Sequence, residues 1–173
     1  MISLDRLDVQ LLGVLSRDAR AGIIDIATEL GIARNTVQSR LRRLEDAGVL
    51  TGFQPALDLA QAGVMTNAFI GLEVQQGRLV GIVAALRQIP QVLEIHATTG
   101  REDLLVRVAT TSQAGLQVLI EQVVAIAGVV HSTTTLALTT PLPYRVLPLL
   151  EDMTRDAGWG RSTPAVKPDG AQR

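Results

Sequence analysis

A chain of 173 residues holds one ordinary domain or two small ones, and 47% hydrophobic with only 2% aromatic residues makes its core aliphatic. The absence of cysteine excludes a disulfide framework, a thiolate metal site and a Cys nucleophile. A net charge of −1 lacks the overall basic excess of many nucleic-acid binders, so any such function must rest on where charge is placed. No uncharged apolar run reaches spanning length, and "MISLDRLDVQLLGVLSRDAR" threads charges through its apolar residues, unlike a signal peptide. The expectation is a soluble, cytoplasmic protein without a membrane partner.

In chain order, "SLDRLDVQLLGVLSRD" places Leu4, Leu7, Leu11, Leu12, Val14 and Leu15 at helical spacing, with Ser3 as the expected N-cap. "IIDIATEL" predicts a second short helix closed by Gly31. Residues 34–47 predict a third, with Val37, Leu41 and Leu44 on one stripe and Gly48 past its end. "VLTGFQPALD" reads as a short hairpin with Gly52 near the turn and Pro55 at an edge.

Beyond residue 65 the period changes. Strands are expected at 66–75, 91–99, 104–110 and 129–140, with helices at 78–90 and 112–128, the latter capped by Ser112. The order β-α-β-β-α-β is the ferredoxin-like unit, whose helices cover one face of an antiparallel sheet. The other face, expected to carry Thr, Val, Ala and Leu with few charges, suits a partner. The expected divisions are a helix-turn-helix domain at 1–50, a hairpin and hinge at 51–64 and the βαββαβ domain at 65–147. "PLPYRVLPLLEDM" can fold back as a short extension, "TRDAGWGRSTPAVKPDGAQR" is rich in Gly, Pro and Ser, and the tail at 148–173 is expected to be disordered.

Three short helices with a glycine turn before the third describe a helix-turn-helix, whose last helix enters the major groove of DNA. With Val37, Leu41 and Leu44 inward, Arg34, Asn35, Gln38, Ser39 and Arg42 face outward and Arg40 and Arg43 lie on the flanks. Arg binds guanine, and Asn or Gln binds adenine, through paired hydrogen bonds. With Thr36 added, these eight residues are the expected contacts to double-stranded DNA.

The strings "LDRLDVQLLGVLSRDAR" and "IATELGIARNTVQSRLRRLEDAGVLTGF", followed by the βαββαβ module, resemble the Lrp/AsnC family of bacterial transcription regulators over about residues 4–147. The resemblance implies an α+β chain: an N-terminal winged helix-turn-helix domain, a hinge and a C-terminal ferredoxin-like effector-binding domain. It also implies homodimers joined through their sheets, assembly of dimers into octamers, and an amino acid or related metabolite as effector.

Two positions depart from the family pattern. Ala33 replaces the usual Ser or Thr before the recognition helix, a loss worth about 1 kcal/mol of capping. The effector loop, usually Gly-Asp-aromatic-Asp, reads Gly100-Arg101-Glu102-Asp103. A zwitterionic ligand needs donors for its carboxylate and acceptors for its ammonium. Gly100 brings backbone close, Asp103 can accept from an ammonium, and Arg101 can pair with a ligand carboxylate or with an acid on a neighbouring chain. Matched to the family, Ser132 and Thr134 add hydroxyls from the last strand.

No nucleophile elbow, phosphate loop or HExxH is present, and His96 and His131 lack partners at metal-ligand spacing. No enzyme activity, metal or cofactor beyond a possible amino-acid effector is expected. Two alternatives remain at this level: an architectural DNA-binding protein of the same fold without an effector, and a ferredoxin-like small-molecule binder or enzyme that does not bind DNA.

Overall fold

A computed structural model describes residues 2–160, which fall into two compact units. The first comprises residues 2–55 with 143–160, the second residues 56–142.

In the first unit, α1 (Arg6–Arg17), α2 (Ile23–Leu30) and α3 (Arg34–Asp46) form the expected helix trio. The cap of α1 is Asp5 rather than Ser3. Asp5 accepts from the Asp8 N–H at 2.9 Å and Asp8 accepts from the Asp5 N–H at 3.0 Å. This reciprocal box satisfies two backbone donors where a serine satisfies one. Gly31 closes α2 at φ 66°, a left-handed conformation that costs glycine little. Leu11, Val14 and Leu15 of α1, Ile26 and Ala27 of α2, and Val37 and Leu44 of α3 form the core.

Two expectations for the remainder of this unit are corrected. The 148–173 segment is not patternless throughout, because Leu147–Met153 form a sixth helix, α6. Pro148 sits in its first turn, where the missing N–H is not needed. The expectation for residues 161–173 lies outside the described residues. The hairpin expected around Gly52 is also absent: residues 51–65 carry no strand. Pro55 donates no ladder hydrogen bond, and a two-stranded ribbon without a packed face does not stand alone.

The second unit matches the expected order. It contains β1 (Thr66–Val74), α4 (Leu79–Leu86), β2 (Val92–Ala97), β3 (Leu104–Thr110), α5 (Gln113–Val124) and β4 (Val129–Ala137). The sheet runs β2-β3-β1-β4, every pair antiparallel. Ser112 caps α5, accepting from the Gly115 N–H at 3.1 Å. Ala68, Ile70 and Leu72 of β1 stand opposite Val108, Val106 and Leu104 of β3, and all six are buried. Ile82 and Leu86 of α4 and Leu116, Leu119 and Val123 of α5 close over that face.

The register also assigns the uncovered face, which differs from expectation. Phe69, Leu105, Thr133 and Thr135 are joined there by Glu73, Glu94, His96 and Arg107. Glu94 stands opposite Arg107, a favourable cross-strand pair, and the His96 Nε2 lies 3.1 Å from Glu94. Strict alternation along β2 fails at a bulge between Val92 and Glu94, so composition alone understates the charge on this face.

Candidate nucleic-acid interface and ligand loop

The turn at Gly31 aims α3 away from α2, and the Ile32 N–H closes it on the Ala27 carbonyl at 3.0 Å. At Ala33 the side chain supplies no cap hydrogen bond, and an uncapped helix N-terminus is a place that attracts a phosphate. Val37 and Leu44 are completely buried and Leu41 is partly buried, which fixes the helix's rotation. Arg34, Asn35, Gln38, Ser39, Arg42 and Arg43 are exposed, and Thr36 is half-buried. The Ser39 hydroxyl donates back to the Thr36 carbonyl at 3.1 Å.

Arg40 is corrected. It does not join the exposed arc, and its side chain retains only 11% of its accessible surface. Its Nη1 donates to Asp5 and to Asp8, each at 2.7 Å. Asp8 is fully buried, and Arg43 also donates to it while staying partly exposed. Arg40 lies three residues after Val37 and four before Leu44, so helical spacing puts it on the inward stripe. Its charge is tolerated because two carboxylates from the start of α1 meet it. Partial burial pushes the Asp5 carboxyl up, but hydrogen bonds from Arg40 and the Asp8 N–H outweigh that and leave it below its ordinary value. Burial likewise pulls Arg40 down, and Asp5 and Asp8 more than reverse it.

In the second unit, Gly100 adopts φ 125° in the β2–β3 turn, where a side chain is strained. The Thr98 N–H donates to the Asp103 carbonyl at 2.9 Å and the Asp103 N–H to the Leu72 carbonyl at 2.8 Å. The Asp103 carboxylate accepts from the Val74 N–H at 2.8 Å, fastening the loop to the end of β1. Arg101 is exposed and pairs with Glu73 at 2.8 Å; that hydrogen bond, chiefly, raises its pKa. Glu102 folds over Gly71, whose added Cβ would come within 2.7 Å of the Glu102 Cγ.

Ser132 and Thr134 stand opposite Leu72 and Ile70, on the helix-covered face, and both are half-buried. Arg101, reaching Glu73, lies toward the uncovered face. A single chain therefore gathers Gly100, Arg101 and Asp103 in one loop but leaves Ser132 and Thr134 apart from Arg101. Glu73, which sequence reasoning missed, completes the charged cluster; its place beside Arg101 is set by tertiary contact.

A helix-turn-helix whose third helix displays Arg, Asn and Gln, followed by a ferredoxin-like domain, defines a DNA-binding protein with a second, regulatory module. Comparison with known proteins agrees. The family model for winged helix-turn-helix DNA-binding matches residues 4–51, and that for the Lrp/AsnC ligand binding domain matches residues 67–147. The HTH-type transcriptional regulator Ptr1 of Methanocaldococcus jannaschii is 32% identical over 100 residues, covering 58% of this chain and 68% of Ptr1. The structure of E. coli AsnC superimposes with a TM-score of 0.79 at 26% identity, covering 85% of this chain and 100% of AsnC. A transcriptional regulator from Neisseria meningitidis, solved as its L-Met complex, superimposes with a TM-score of 0.77 at 22% identity, covering 85% of this chain and 99% of its own. The chain belongs to the Lrp/AsnC family of transcriptional regulators. It carries a helix-turn-helix DNA-binding domain and a ligand-binding domain.

Proposed function

We propose that α3 reads a DNA half-site through Arg34, Asn35, Gln38, Ser39 and Arg42, with Thr36 and Arg43 contacting the backbone at its flanks. Arg40 orients the helix instead of touching DNA. The observation that carries this reading is the division of α3: Val37 and Leu44 are fully buried while Arg34, Asn35, Gln38 and Arg42 are solvent-exposed. The acids of α3, Glu45 and Asp46, come only in its last turn, past this surface. The chain acts as a homodimer or as an octamer of four dimers, so its operator is roughly palindromic with half-sites one helical turn or a multiple apart. No described helix is long and apolar enough to cross a membrane, and a cytoplasmic location fits a regulator of this kind.

The second domain binds an amino acid or a related metabolite at the Gly100–Asp103 loop. The L-Met complex of the Neisseria relative supports that class of ligand. Ser132 and Thr134 belong to the same site only if a neighbouring subunit completes it, because one chain leaves them on the other face from Arg101. The functional divisions are 1–50 for DNA, 51–64 for the hinge and 65–147 for ligand and assembly.

The test is selection of genomic fragments by the full chain, followed by titration of the twenty amino acids calorimetrically. Enrichment of palindromic sites and heat from at least one amino acid are the expected results. Enrichment of no sequence removes the α3 reading, and absence of heat from all twenty removes the amino-acid effector.

A further inference from the structure

The end of the described chain lies beyond both matched family domains, yet it is fitted to the first unit. α6 reaches α1 at Gly13, where Leu147 Cδ2 lies 3.6 Å from the position a Cβ would take. From there the chain follows α1 back to its start. The Gly158 carbonyl accepts from the Arg6 N–H at 3.2 Å, satisfying one of the unpaired donors of the first turn of α1. The Trp159 ring stacks on the Arg6 guanidinium, 4.6 Å from its carbon to the ring centroid. The Trp159 carbonyl accepts from Arg40 Nη2 at 3.3 Å. Gly160 turns at φ 65°, and a Cβ there would lie 2.3 Å from the Asp5 carboxylate and 2.6 Å from Arg40 Nη2.

The tail thus meets Arg6 through the Gly158 carbonyl and the Trp159 ring and Arg40 through the Trp159 carbonyl, beside the Asp5–Arg40 pair that joins the start of α1 to α3. We propose that Gly158–Gly160 is a latch that positions the recognition helix: the tail caps α1, packs on Arg6 and holds the Arg40 guanidinium against Asp5 and Asp8. Trp159 is a positioning residue, acting on DNA recognition through Arg40 and touching no base. Its functional half rests on the reading of α3 given above.

The experiment compares the full chain with Trp159→Ala and Trp159→Phe on a duplex enriched by the wild-type protein and on a scrambled duplex of the same length. Loss of the stacking and loosening of Arg40 lowers the affinity of Trp159→Ala for the enriched duplex about fivefold. Affinity for the scrambled duplex changes less than twofold, since it depends on charge rather than on helix orientation. Trp159→Phe, which keeps an aromatic face and the backbone contacts, retains most of the specific binding. A purely structural role lowers the folded fraction and weakens both duplexes alike. Equal loss on both, or no loss on either, overturns the positioning role.

A second readout needs no DNA. Trp159 is the only tryptophan in the chain, so its emission reports the latch directly. Arg6→Ala is expected to shift that emission to longer wavelength. Identical spectra for Arg6→Ala and the wild type overturn the latch itself. Failure of the α3 reading looks different: the wild-type protein binds enriched and scrambled duplexes equally while Arg6→Ala still shifts the emission, and this overturns the functional half alone.

Discussion

The two units handle charge in opposite ways. In the sheet unit the described core cluster is aliphatic throughout, and no described acid or base there is fully buried. In the helical unit a carboxylate, Asp8, is fully buried and is matched by Arg40 and Arg43. A sheet gains its order from a ladder of backbone hydrogen bonds and a two-residue period. Three short helices have no ladder between them, and an ion cluster between α1 and α3 supplies directional contacts that aliphatic packing lacks. Two arginines on one helix, two residues apart, therefore do different work: Arg40 fixes where α3 sits, and Arg42 faces outward.

The largest expected effect breaks that arrangement. Arg40→Ala leaves Asp8 buried with Arg43 as its remaining partner. Breaking a buried pair costs about 3–5 kcal/mol, and the surviving Arg43 contact places this one near about 3. The melting transition of the helical unit falls by on the order of 10 °C in calorimetry. Arg42→Ala, two residues on, leaves the transition in place and lowers affinity for the enriched duplex about tenfold, with a shallower salt dependence. If Arg40→Ala melts normally and loses only DNA binding, the contrast between the two arginines is wrong.

Acid sharpens the same comparison. The folded-state value of Asp5 lies below its ordinary one, so its contribution is complete above about pH 4 and is lost as pH falls through the lowered value. Chemical denaturation between pH 3 and 6 is expected to show the wild-type protein losing stability at the acid end. In Asp5→Asn that part of the pH dependence flattens. An identical slope in both proteins removes Asp5 from the account.

Much of this was legible before any coordinates. The β-α-β-β-α-β order follows from alternating and helical periods, and β3 falls at 104–110 as expected because buried Leu104, Val106 and Val108 alternate cleanly. Ser112 was readable as a cap because it directly precedes an apolar helical run. The outward side of α3 was also readable, since Val37 and Leu44 fix its rotation. Arg40 was misassigned because residue type outweighed spacing: its position on the inward stripe was present in the string, but its partners Asp5 and Asp8 lie some thirty residues earlier. Nor could local pattern show that α6 and Trp159 return to α1, or that Glu73 meets Arg101, because those pairings are set by tertiary contact and strand register.

The smallest expected effect lies in the loop of the second unit and separates ligand chemistry from stability. Arg101 is exposed in its pair with Glu73, so Arg101→Ala leaves the melting temperature nearly unchanged. Asp103 differs, because its carboxylate holds the Val74 N–H at the end of β1. Asp103→Asn keeps an acceptor there and preserves the loop while removing the negative charge that pairs with an ammonium. Measured calorimetrically with an amino acid that binds the wild-type chain, Arg101→Ala is expected to weaken binding severalfold through the ligand carboxylate. Asp103→Asn weakens it more, since a charged partner in a hydrogen bond is worth roughly twice a neutral one. Because neither change unfolds the sheet, unaltered affinity in both variants places the ligand away from this loop, whereas loss in both ties the GRED sequence to the chemistry of its ligand.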